Sequence, residues 1–208
     1  MLRVVAAGLI VLVLAALAAL IRWHPALAYA ISQEDSLLEI VQVLLCGGAG
    51  VFALTSTIAR RRAGRPFVLD ALAAAAMIAL VIGEIDLDRQ LFGMKVIHTR
   101  FFVKTDVALV VRALAFVVIV GVPLALALWA VRHRRALWRQ ATVAVREPWG
   151  QVFLAGGVIF AVAELFEKPL ARATFAPRYS LEEGLELAAA IAFFLALGAR
   201  QRTLSDIS

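Results

Sequence analysis

Glu84 and Glu164 are the acids whose surroundings most need a cause. Glu84 follows the apolar run Leu80-Val81-Ile82-Gly83, and Glu164 follows Phe160-Ala161-Val162-Ala163. An ionised carboxylate at the end of such a run is costly near lipid unless it is paired, so it either meets a cation or does chemistry. Glu84 and Asp88 stand four apart and share a helical face if one helix carries both, as do Asp35 with Glu39 and Glu182 with Glu186. Arg112 lies between Leu109-Val110-Val111 and Ala113-Leu114. A guanidinium there must snorkel or find carboxylates, and Glu84, Glu164 and Glu186 are the partners expected for it. Carboxylates so placed can act as a general base or as metal ligands. His98 is the one histidine in this acidic neighbourhood and would assist, while Arg100, Lys104 and Arg178 would hold a phosphate. A His-plus-carboxylate set suits zinc, manganese or iron. No His-x-x-x-His or Glu-x-x-His spacing accompanies it, so the divalent-metal expectation rests on His98 alone.

The elements that must position these residues are membrane helices. Of 208 residues, 63% are hydrophobic and 17% charged, against about 25% charged in an ordinary soluble domain. Mean hydropathy is +0.90. These values exclude a disordered chain, a disulfide scaffold and a typical soluble globule. Six segments can cross a bilayer: 3–22, 36–59, 66–84, 106–131, 149–165 and 181–199. The expected fold is all-α, a polytopic bundle forming one integral-membrane domain over 1–208. The first span has a rival reading. Arg3, the apolar run and Ala28-Tyr29-Ala30 together resemble a secretory signal with its cleavage site. The run is longer than most signal cores, and Arg22-Trp23-His24-Pro25 separates it from the Ala-x-Ala, which favours an uncleaved helix.

Net charge is +6, but the basic residues sit in short clusters between apolar runs, which argues for membrane topology and against nucleic acid. Arg60, Arg61, Arg62 and Arg65 follow the second span, and Arg132, Arg134, Arg135, Arg139 and Arg146 follow the fourth. With six spans these clusters, Arg3, Arg200 and Arg202 share one side. By the positive-inside rule that side is the cytoplasm, with both termini there and the chain in the inner membrane of a bacterial cell. Trp129, Trp138 and Trp149 then mark inner ends of spans, and Trp23 and Tyr29 an outer end. Most acids fall outside; Asp70, Glu147 and Asp206 are the inner ones. Any chemistry is expected to face the periplasm.

Caps account for part of the outer acidity. Ser36-x-x-Glu39 and Ser180-x-x-Glu183 read as capping boxes, and Thr105-Asp106 as a third helix start. Caps do not account for Glu84, Asp88 and Glu164, which close spans at C-termini where the helix dipole disfavours carboxylates. Nor do they account for Glu186, more than a turn inside its helix. The outer loops 89–105 and 166–180 mix aromatic and basic residues, which suits segments lying among lipid headgroups. Cys46 has no disulfide partner and reads as a packing residue. Gly47, Gly48 and Gly50, and Gly156 with Gly157, read as close helix packing. Gly121 and Pro123 should kink the fourth span.

The stretch Gly83-Glu84-Ile85-Asp86-Leu87-Asp88-Arg89-Gln90-Leu91-Phe92-Gly93 resembles a group of uncharacterised bacterial multi-pass proteins with a Gly-Glu-Glu-Ile-Ser-Trp-Gly-Gln-Arg motif. Glu34-Asp35 with Glu39, and Glu182-Glu183 with Glu186, are similar to two further acidic patches of that group. The likeness covers three short patches and departs at Asp86, Leu87 and Asp88. It implies a multi-pass membrane fold and no activity.

The expected function is binding. An outward-facing polar cavity of Arg112, Glu39, Glu84, Asp88, Asp106, Glu164, Glu182 and Glu186 would take a small or lipidic ligand or a membrane-protein partner, with Arg100 and Arg178 at its rim. The alternative is an intramembrane enzyme acting on a lipid or isoprenoid headgroup, with Glu84 or Glu164 as base or metal ligand and His98 assisting. A proton-coupled transporter ranks last, because among ionisable groups only Arg112 comes near the bilayer midplane.

Overall fold

A computed structural model describes residues 1–32, 37–85, 108–167 and 178–205. Every regular element among them is a helix: α1 (Leu2–Trp23), α2 (Pro25–Ile31), α3 (Leu37–Arg62), α4 (Val68–Glu84), α5 (Leu109–Arg132), α6 (Arg134–Ala144), α7 (Pro148–Glu167) and α8 (Arg178–Ser205). Four of them, α1, α3, α5 and α7, are long and apolar enough to cross a membrane. The chain is therefore a helical membrane protein. The third and sixth expected segments are also helices. α4 has 17 residues, a length of about 25 Å. α8 has 28 residues and carries Glu182, Glu183 and Glu186 in its first three turns.

α8 is the centre of the bundle and packs on α7, α3 and α1, while α4 packs mainly on α3. The contacts are built from small residues. Ala49 and Ala53 of α3, Ala73, Ala74 and Met77 of α4, and Ala189, Phe193 and Leu197 of α8 form one cluster. Ala6 of α1, Val152 of α7, and Ala192 and Ala196 of α8 form a second. In lipid the tails are as apolar as leucine, so association depends on backbones coming close enough for dispersion contacts to add up. Alanine permits that approach, and glycine does so at selected points. A Cβ on Gly156 would lie 3.0 Å from Ala192, and one on Gly48 2.8 Å from the Phe194 ring. Gly47 and Gly157, expected to pack in the same way, face open space instead.

Three local features stand out, the first of them against the sequence expectation. Ser180 is not a cap: α8 begins two residues earlier, and the buried Ser180 hydroxyl donates to the Ala28 carbonyl at 3.4 Å, tying α8 to α2. The connection after α5 is not a plain loop. It folds into α6, which docks on α4 through Gln140, whose Oε1 accepts from the Leu69 amide at 3.3 Å. That amide belongs to the first turn of α4, where N–H groups lack helical partners. Finally, α5 is interrupted by a π-turn at Val117–Gly121, directly before Pro123. Proline removes one backbone donor and crowds the preceding turn, and a widened turn is one way to relieve it. α5 buries none of its residues against the described part of the bundle.

Candidate functional site

One end of the bundle gathers carboxylates from three helices. Glu84 is the last residue of α4, and Glu186 lies two turns into α8. They face one another across a cavity of about 10 Å³, also lined by Gln42, Cys46, Leu80, Phe160, Ala190 and Phe193. That volume matches the ~10–15 Å³ needed by a single water-sized occupant. Glu183 lies within electrostatic reach of Glu39, Glu84 and Glu182, so the acidic group extends outward from the cavity. Gln42 is 1% exposed; its Nε2 donates to Glu186 Oε2 at 3.2 Å. Its Oε1 is buried and has no hydrogen-bond partner among the described residues. A buried amide oxygen without a donor is costly and marks a place where a donor or cation belongs.

The local sequence explains this placement. Glu39, Gln42, Cys46, Ala49 and Ala53 follow three- and four-residue spacing along α3, so one stripe carries the polar cavity toward its N-terminal end and the alanine contact further along. On α8, Glu186, Ala190, Phe193 and Leu197 form the matching stripe.

Other expected residues lie elsewhere. Glu164 is half-buried on α7 and Arg112 half-buried on α5; neither lines the Glu84–Glu186 cavity. Asp88, His98, Arg100 and Asp106 lie outside the described residues, as does the Arg178 side chain. Among the described residues no three His, Cys, Asp or Glu side chains converge to hold a metal ion.

A buried ion cluster lies at the opposite end of the bundle and was missed in the sequence. Asp70, in the first turn of α4, is 2% exposed. Its Oδ1 accepts from Arg200 Nε at 3.1 Å and its Oδ2 from an Arg200 terminal nitrogen at 3.4 Å. Arg60 Nε lies 3.3 Å from the same carboxylate, as an ion pair without hydrogen-bond geometry. Arg200 also stacks on Trp149, with its guanidinium carbon 4.3 Å from the ring centroid. Arg60 and Arg200 read in the sequence as topology markers, and Asp70 as a stray inner acid. The position of Gln42, more than a turn inside α3, was the available signal for the carboxylate cavity.

No family model matches the chain, and no curated protein or solved structure does either.

Proposed function

We propose that the chain is a six-span inner-membrane protein with both ends cytoplasmic, and that its outer carboxylate cavity binds a small ligand through a cationic group. The observation that carries this reading is the buried, unsatisfied Gln42 Oε1 beside Glu84 and Glu186 in a space for one water-sized group. Two carboxylates and an amide oxygen are acceptors only, apart from the Gln42 amide hydrogens. They suit a primary ammonium or a monovalent cation. A lipid headgroup bearing an ammonium presents the same group as a free amine. The enzyme alternative, with Glu84 or Glu164 as base or metal ligand and His98 assisting, is favoured by no observation among the described residues.

The test is a thermal titration of the detergent-purified protein with methylammonium chloride, against sodium chloride at equal ionic strength. A ligand at 100 times its dissociation constant stabilises by about 2.7 kcal/mol. The unfolding midpoint should rise with methylammonium and lose that response in Glu84→Gln and Glu186→Gln. A response unchanged in both variants, or none to either cation in the wild type, overturns the reading.

The topology has its own check. A reporter fused after Arg62 should score cytoplasmic and one after Lys95 external. The reverse pattern would invert every sidedness statement above.

A further inference from the structure

The end of the bundle that carries Asp70 holds a second cavity, unlike the acidic one in every respect. Its volume is about 230 Å³, and its wall is apolar apart from the edge of Asp70, already engaged by two arginines. Such a space is smaller than the ~300–1,000 Å³ clefts that enclose whole small molecules. It suits part of a flexible chain. Trp138, Thr142, Trp149, Phe153 and Leu154 line it. It runs beside α7 from buried Trp149 to half-exposed Leu154, at 51% exposure, and so opens toward the region where lipid tails lie.

α6 connects this cavity to a basic surface. Trp138, Ala141, Thr142 and Val145 face the cavity at helical spacing. One turn earlier, Arg134, Arg135 and Arg139 surround Trp138 in an open recess. Trp138 is 73% exposed and forms a wall common to both. The three guanidinium groups are exposed and make no ion pair among the described residues. α6 contains no acid to neutralise them. Planar, permanently charged forks beside an apolar slot match a phosphate with a hydrocarbon tail.

We propose that α6 and the cavity behind it form a binding site for an anionic phospholipid of the inner leaflet. Its phosphate contacts Arg134, Arg135 and Arg139, and one acyl chain passes Trp138 into the cavity. The assignment to the inner leaflet follows from the topology above, but the chemistry of the site does not.

The experiment is native mass spectrometry of the full chain released from nanodiscs of equimolar phosphatidylglycerol and phosphatidylcholine. Both leaflets then carry the same lipids, so an inverted topology would leave the result intact. The wild type should retain phosphatidylglycerol in preference. The triple variant Arg134→Gln, Arg135→Gln, Arg139→Gln should lose that preference by roughly fivefold per charge. Ala141→Phe, which fills the slot and keeps the arginines, should lose the retained lipid. Quenching of wild-type tryptophan by acyl-brominated phosphatidylglycerol, and less by the brominated choline lipid, gives a readout that needs no variant. Equal retention of the two lipids, or wild-type preference in the triple variant, would overturn the site. So would lipid-free dimers, which would mean that a second copy covers the cavity.

Discussion

Replacing Asp70 by Asn should destabilise the protein by about 3–5 kcal/mol, the cost of breaking a buried ion pair by removing one partner. The loss exceeds one salt bridge because Asp70 serves two cations. The Arg60 and Arg200 side chains are only 15% and 12% exposed, and the carboxylate between them is 2% exposed. Without its charge, two guanidinium groups face each other where water cannot screen them. The three residues also come from three helices, so the change loosens this end of α3, α4 and α8 together. Unfolding of the detergent-solubilised protein, followed by far-ultraviolet circular dichroism, should show the shift. The double change Asp70→Asn with Arg200→Met should recover part of the loss, because the two sites are coupled. A single variant within about 0.5 kcal/mol of wild type, the range of ordinary surface changes, would mean that the cluster is not a structural clasp.

Gly150→Ala should cost about 1–3 kcal/mol, the range for forcing atoms into a packed site. A Cβ there would collide with the carbonyl of Ala144, at the corner where α6 turns into α7. The corner is tight: the Glu147 amide donates to the Ala144 carbonyl at 3.0 Å, and Gln151 Nε2 reaches the Val145 carbonyl at 3.0 Å. The obstacle is backbone, which cannot swing aside as a side chain does. Gly184 offers the contrast, since its Cβ would meet the far end of Leu17, a flexible partner. Gly47→Ala should be neutral or gain up to about 1 kcal/mol, because open space surrounds it and alanine restricts the unfolded chain. Equal unfolding midpoints for Gly150→Ala and Gly47→Ala would refute the account of this corner.

Much of the architecture was legible because lipid leaves few options. Apolar runs of adequate length must be helices, and all six expected segments contain one. Glu84 and Glu186 stood out in the sequence for a related reason, since neither dipole nor cap explains either, but Arg112, expected as their partner, does not line the cavity they share. What escaped were matters of azimuth. Gln42 looks like one polar residue in an apolar run until the bundle turns it toward Glu186. Asp70 looks like a helix-start acid until Arg60 and Arg200 arrive from helices far away in sequence. Spacing within a helix tells which residues share a face, but not which face meets which neighbour. The Ser180 case follows the same logic: its local pattern fits a cap, yet the hydroxyl is used between helices.

The π-turn at Val117–Gly121 has a consequence of another kind. A π-turn holds one residue more than the α-turn it replaces, so it acts as an insertion absorbed without breaking the helix. One residue corresponds to about 100° of rotation. Arg112 precedes the turn; Trp129 follows it and stacks near Phe67 and His133, with ring centroids 6.3 and 5.0 Å away. The widened turn lags behind an α-turn by about the rotation of that extra residue, so Arg112 points from the aromatic anchor as it would in an uninterrupted helix one residue shorter. Deleting any one of the five would restore a plain α-helix and leave the aim of Arg112 almost unchanged, whereas a further inserted residue would re-aim it by about 100°.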